Sequence, residues 1–329
     1  MRIKPYLQLC RFHSSPLETI PAIIGAGLAT GSIFTIPVAQ WGLFGLLYHS
    51  FGYSNNSLAD WQKGYDTDDE HKMHHPLNSG KLTEFDAKIF NYSLGLVLLL
   101  YVIYLVSDSP IAAGVLIIGA INGFLYNYYG KKTQFKFIFI SIAHTTVFIA
   151  PFIALGGSPS NIIFILSATY VFTWYVFEIS ISGEIKDITQ DEENIVSRFI
   201  TKIHSDGKII YDIRLRVYGY SLKLITISTA LLILYLTEQT LIQFALIPLL
   251  IALIYSTDQL LTDMFYAQDR RPARIRTISM IEIWTLLIFI IIHAHMFKTI
   301  AVVLLSLGSI LWVVIGNKAL WGSLIGPRV

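Results

Sequence analysis

Long apolar stretches alternate with polar breaks along this chain, and four of the breaks are much longer than the rest. Ten stretches reach the roughly 20 apolar residues a helix needs to cross a bilayer core. They are 16–36, 38–62, 86–107, 109–128, 135–156, 160–183, 214–236, 239–258, 276–296 and 299–318. Narrow breaks fall at Asp108-Ser109-Pro110, from Gly156 to Pro159, and at Thr237-Glu238. The long ones are 63–85, 129–136, 184–213 and 259–275. Short and long breaks alternate, so the long ones share one side of the membrane. The pattern predicts an all-α, polytopic membrane protein of nine or ten transmembrane helices, with the last pair least defined. Met1 to Pro16 holds no apolar core of a signal peptide, so no cleavable leader is expected.

Composition narrows the class. The chain is 54% hydrophobic and only 14% charged, with 20 Phe, 18 Tyr and 6 Trp, which excludes a disordered chain, a coiled coil and an ordinary cytosolic enzyme. A single cysteine, Cys10, excludes a disulfide framework and a cysteine-based zinc site. A net charge of +2 without a basic stripe gives no case for nucleic acid, and no obligate protein partner is implied. Of the 24 Lys and Arg, all but Lys298 lie near the long breaks or the two ends. Positive residues stay in the cytoplasm, so the long loops and, with ten spans, both termini are expected there.

Two acidic clusters interrupt this pattern. The second stretch runs out through Asn56, Asp60, Lys63, Asp66, Asp68, Asp69 and Glu70, and the sixth through Glu178, Glu184, Lys186, Asp187, Asp191, Glu192, Glu193 and Asn194. In a helix Asn56 and Asp60 share a face, as do Asp187, Asp191 and Asn194. Carboxylates at helix C-termini oppose the macrodipole, and ionisable groups at a membrane boundary face a cavity or a partner. Clustered oxygen ligands suit Mg²⁺ shared with a substrate phosphate. The two exits would then hold a diphosphate through metal ions, with Lys63, Lys72, Lys186 and Arg198 offsetting its charge as it leaves.

These residues resemble the two signature motifs of the UbiA superfamily of intramembrane prenyltransferases. The family's Asn-Asp-x-x-Asp run is matched by Asn56-Ser57-Leu58-Ala59-Asp60, and its Arg-Pro-Leu/Ile-x-Ser-Gly turn by His75-Pro76-Leu77-Asn78-Ser79-Gly80. Its Asp-x-x-x-Asp falls on Asp187-Ile188-Thr189-Gln190-Asp191, and Arg11 to Ala29 is similar to its first helix. The resemblance implies a single domain over 1–329, a helix bundle around a central cavity, with motif loops at 54–83 and 184–213. It implies catalytic Asn56, Asp60, Asp187 and Asp191, metal ligation by these with Asp68 and Asn194, and diphosphate binding by Arg11, Lys63, Lys72 and Lys186. The implied reaction is Mg²⁺-dependent transfer of an isoprenyl group, by way of an allylic cation, from a polyprenyl diphosphate to a small aromatic or lipidic acceptor.

Residues 64–69 and 186–194 look most like the dihydroxynaphthoate prenyltransferases. Three departures stand out: Ser57 for the usual Asp, His75 for the usual Arg, and no Gly-Lys-x-Thr after the second motif, although Gly207-Lys208 could be its displaced remnant. They leave room for a membrane terpene cyclase of the same superfamily, which needs no acceptor. An ion-coupled transporter would need acids near the midplane and an internal repeat, and no repeat is visible.

Other polar residues have two readings each. His71, His74 and His75 are expected to be loop histidines rather than metal ligands, with His75 near the diphosphate. His144, Asn91 and Asn122 could join helices or line a pocket. Glu178 could orient an acceptor or pair with a buried Lys. Tyr126, Tyr128 and Tyr129 could face an allylic cation or form an interfacial belt. Arg270 to Arg276 is expected to anchor a loop at lipid headgroups.

Overall fold

The computed structural model describes residues 3–64, 74–186, 195–203, 209–238, 240–262, 271–294 and 296–324. A short α1 (Lys4–Leu9) and a 3₁₀ turn (Phe12–Ser14) precede α2 (Pro16–Thr30), α3 (Ile36–Gln62), α4 (Glu84–Leu105), α5 (Pro110–Tyr129) and α6 (Lys136–Ala154). α7 (Ile162–Phe177) runs through a π-helical turn (Glu178–Gly183) into α8 (Glu184–Lys186). Then come α9 (Ile213–Leu236), α10 (Thr240–Thr262), α11 (Arg271–Ala294) and α12 (Thr299–Trp321). Each of the ten apolar stretches falls on one of the long helices. Among the described residues, seven helices are long and apolar enough to cross a membrane by length and composition, and the protein is an all-α integral membrane protein.

Local chemistry sets the helix boundaries. Pro37 lies in the first turn of α3, and the Thr35 side chain accepts from the Val38 amide. Thr83 and Asp86 form a capping box at the start of α4. Asn161 caps α7 and Asp212 caps α9. Gly31, at φ 72°, ends α2 in the left-handed conformation that glycine adopts without strain.

The long segment 184–213, expected as a long polar loop, contains a small antiparallel ribbon, β1 (Ile200–Ile203) against β2 (Ile209–Tyr211). Its Ile-rich strands carry the β-branched residues that favour pairing. A second difference concerns the last basic cluster. Residues 271–276 begin α11 rather than ending a loop, and Arg274 is buried, so it does not serve as a headgroup anchor.

The chain divides into two compact units. The first comprises residues 1–128, 146–158 and 307–329. Its helices approach closely through glycine. A Cβ on Gly45 would lie 2.9 Å from the Glu18 carbonyl oxygen, and one on Gly25 would collide with that of Phe148. Small residues at these crossings let backbones meet where lipid provides no hydrophobic drive. Trp41, Phe44, Ala22, Ala26, Val147 and Ala150 fill the space between them. Leu99, Leu100, Ile117, Ile118 and Leu311 point outward, as lipid-facing residues do.

The second unit comprises residues 129–145 and 159–306. Side-chain hydrogen bonds tie its helices together. Tyr170 donates to the Thr285 carbonyl at 2.8 Å, Ser167 meets His293 at 2.6 Å, and Thr173 meets Thr226 at 3.0 Å.

Candidate active site

In the first unit α3 carries Asn56 and Asp60 on one face, and Asn56 Nδ2 donates to Asp60 Oδ2 at 3.1 Å. Asp60 is buried and lies in the last turn of α3, where burial and the helix dipole both disfavour a carboxylate. A cation relieves both. The donor set, an amide and a carboxylate, is oxygen, which fits Mg²⁺. His49, Tyr53, Asn56 and Asp60 follow one another at helical spacing. Arg11 stands over this stripe, its guanidinium carbon 5.2 Å from the centre of the Tyr53 ring.

Ser57, the first departure from the family pattern, lies off that face. Its hydroxyl donates to the Leu9 carbonyl of α1 at 3.3 Å and is buried. Lys63 is occupied elsewhere: its ammonium donates to the Asn127 and Tyr128 carbonyls at 2.8 and 3.0 Å. It thereby neutralises the negative end of α5. Asn91 joins α3 to α4, accepting from Ser54 at 2.7 Å and donating to Asn55 at 3.3 Å. Asn122 bonds its own helix. Tyr128 and Tyr129 are exposed, as belt aromatics are.

The segment around Arg11 is held by the end of α12. Gln8 donates to the Leu320 carbonyl at 2.7 Å, and Trp312 donates to the Phe12 carbonyl at 2.9 Å. Trp321 is edge-on to both His13 and His74, with centroids 6.1 and 5.2 Å apart. Burial, with His49 and Arg11 adding to it, pushes the His13 pKa down to about 3, and burial pushes the Cys10 thiol up to about 11. Cys10 is thus an inert packing residue. His75 is buried and its carbonyl accepts from Ser79, closing the turn predicted to end the first motif.

In the second unit Glu178 opens the π-helical turn and faces Lys223 at 3.5 Å, both buried. This is the pairing with a buried Lys that the sequence offered as one reading of Glu178. Lys223 also lies 3.8 Å from the Phe177 ring centre. His144 stacks on Tyr175 at 4.3 Å, and Tyr175 on Trp174 at 5.2 Å. The second motif, Asp187, Asp191 and Asn194, lies outside the described residues, as do Asp68, Lys72 and His71. Lys186 closes α8 immediately before it. Its flanks meet at one residue: Glu184 pairs with Lys136 at 2.6 Å and accepts from the Ile195 amide at 3.0 Å. Among the described residues no group of three His, Cys, Asp or Glu side chains gathers as a metal cage.

The interleaved roles of Glu184, Lys63 and Ser57 were not legible in the motifs. A buried Lys at the start of a span, such as Lys136, is the one signal that pointed towards the first of them.

The sequence pattern of the UbiA prenyltransferase family matches residues 19–264. No curated protein sequence matches the chain. Among solved structures, a digeranylgeranylglyceryl phosphate synthase superposes with a TM-score of 0.60 at 18% identity, covering 89% of this chain and 98% of that one. A UbiA homologue from Archaeoglobus fulgidus, bound to GPP and Mg²⁺, superposes with a TM-score of 0.57 at 15% identity, covering 87% and 99%. The Cd²⁺-bound form of that homologue gives 0.54 at 16% identity, covering 87% and 99%.

Proposed function

The chain belongs to the UbiA prenyltransferase family, and from that premise we propose that it transfers an isoprenyl group from a polyprenyl diphosphate to a small aromatic or lipidic acceptor in the membrane. The observation that carries this reading is the Asn56–Asp60 pair at the exit of α3, with the Arg11 guanidinium over the same face. The A. fulgidus homologue, bound to GPP and Mg²⁺, supports it.

In this reading Asn56 and Asp60 hold Mg²⁺, and Asp68, Asp187, Asp191 and Asn194 supply further oxygen ligands. Mg²⁺ held there would supply positive charge to offset what builds on the diphosphate as its bond to the allylic carbon breaks. Arg11 adds fixed positive charge of the same kind, and Lys72 and Lys186 are the further cations of the motif segments. The bonding electrons leave with the diphosphate. The allylic carbon then bonds to the nucleophilic atom of the acceptor, which releases a proton.

The contacts of Phe12 and His13 with Trp312 and Trp321 also support an even number of crossings. The segment before α2 and the end of α12 then lie on one face, and the basic residues make that face cytoplasmic.

The test uses purified protein in detergent with Mg²⁺ and a series from geranyl to geranylgeranyl diphosphate. Diphosphate release is followed with and without aromatic and glycerol-phosphate acceptors, with an EDTA control. Acceptor-dependent release with a prenylated product is expected. Mg²⁺-dependent release without acceptor, giving a cyclic hydrocarbon, would move the protein to the cyclases.

A further inference from the structure

Glu18 and His49 form an ion-pairing contact between α2 and α3 that the reaction above does not use. His49 Nδ1 lies 2.5 Å from Glu18 Oε2, and neither side chain has exposed surface. The other ring nitrogen, Nε2, lies 3.0 Å from the backbone carbonyl oxygen of Arg11. Replacing such a buried pair by apolar side chains is often neutral or stabilising, so stability alone does not account for it.

What the pair touches is unusual. Arg11 has φ 47° and ψ 44°, a left-handed backbone in which a non-glycine residue is sterically strained. Its carbonyl also accepts from the Ser14 amide and hydroxyl, each at 2.9 Å. The left-handed residue turns the chain between α1 and the following 3₁₀ turn, and it directs the guanidinium over Tyr53. The His49 ring lies on the same tyrosine, with centroids 4.4 Å apart. One side chain therefore contacts both the backbone of Arg11 and the platform beneath its guanidinium, one turn of α3 before Asn56.

We propose that Glu18 and His49 are positioning residues for Arg11: they hold its carbonyl and Tyr53 so that the guanidinium is fixed beside the Asn56–Asp60 site. The inference rests on the diphosphate role of Arg11 stated above. Glu18 orients the imidazole, and the imidazole carries that orientation to the strained turn.

Two variants of His49 separate positioning from packing. In His49→Gln the amide nitrogen takes the place of Nε2 and keeps the bond to Arg11, losing the one to Glu18. In His49→Asn the side chain keeps the Glu18 contact and loses Arg11. Steady-state kinetics with geranyl diphosphate and Mg²⁺ is expected to show KM raised about tenfold in His49→Asn, the equivalent of one hydrogen bond. His49→Gln should stay near wild type, and kcat should change less than KM in both. Combined with Arg11→Ala, His49→Asn should add nothing further.

Equal effects of the two variants, or an effect of His49→Asn that adds to that of Arg11→Ala, would overturn the positioning role. An Arg11→Ala protein with unchanged KM would overturn something different, the placing of Arg11 at the diphosphate, and the positioning role with it. Should His49→Asn fail to fold, Glu18→Gln keeps the shape of the pair and gives the same comparison against Arg11→Ala.

Discussion

The Ser57 hydroxyl donates to the Leu9 carbonyl across 3.3 Å, and both residues are buried. The position at which the family pattern has a second carboxylate is thus taken up by a bond between α3 and α1. An Asp there would aim a charge at a carbonyl oxygen in a closed interface. Ser57→Asp is expected to lower stability by about 3 kcal/mol without raising activity, whereas Ser57→Ala should cost about 1 kcal/mol. Thermal unfolding in detergent with a parallel turnover assay checks both. An active, fully stable Ser57→Asp protein would show that the residue faces substrate.

Asp60→Asn keeps the size of the side chain and the bond partner of Asn56 but removes the charge. Turnover is expected to fall by about a hundredfold or more while the melting temperature holds or rises, since a buried carboxylate has gone. EDTA should abolish turnover of the unmodified protein, with recovery on added Mg²⁺. Near-normal turnover by Asp60→Asn would remove this residue from the site.

Glu184 and Lys136 form a buried ion pair in the second unit, at 2.6 Å, and Glu184 also receives the Ile195 amide. Lys136→Ala leaves Glu184 buried without its cation and should cost about 3 kcal/mol. Because that carboxylate fastens both flanks of residues 187–194, activity should fall more than stability predicts. Pairing Lys136→Met with Glu184→Gln should restore the melting temperature and not the activity.

His13 gives the N-terminal segment an acid sensitivity. Burial holds its pKa near about 3, against an ordinary value of 6.5, so the unfolded chain takes up the proton first. The stabilising contribution is complete above pH 6.5 and is lost progressively as the pH falls towards 3. Protonation would also occupy the Nδ1 that lies 3.4 Å from the Trp321 indole nitrogen. His13→Asn, which keeps an acceptor there, should flatten the decline of the melting temperature between neutral and acidic pH. An unchanged slope would assign the effect to other groups.

Much of this arrangement was legible in the sequence, for reasons that can be named. Apolar length places the ten long helices because the membrane leaves the backbone no other option. Helical spacing brings Asn56 onto Asp60. Motifs do not report what a polar residue touches across the bundle. Lys63 has the spacing of a phosphate cation but meets the end of α5, and Arg274 has the composition of a lipid anchor but is buried. The β1–β2 ribbon was hidden for a different reason: three or four residues of β character inside a polar stretch are too short to stand out. The Glu18–His49 pair joins residues 31 apart, and no local pattern links them.

Cysteines placed at Lys4 and at Ser323, in a Cys10→Ala background, should be labelled by an impermeant maleimide from the same side of a sealed vesicle. Labelling from opposite sides would require an odd number of crossings.

Phe12 and Trp312 are separated by 300 residues, and that separation has a consequence for how the protein is made. The turn bearing Arg11 leaves the ribosome long before the helix that completes its surroundings. During all of that synthesis its left-handed backbone has only the partners of α2 and α3 to hold it. A chain halted between α11 and α12 would therefore be inserted almost completely and yet lack the last wall around the residue proposed to bind diphosphate.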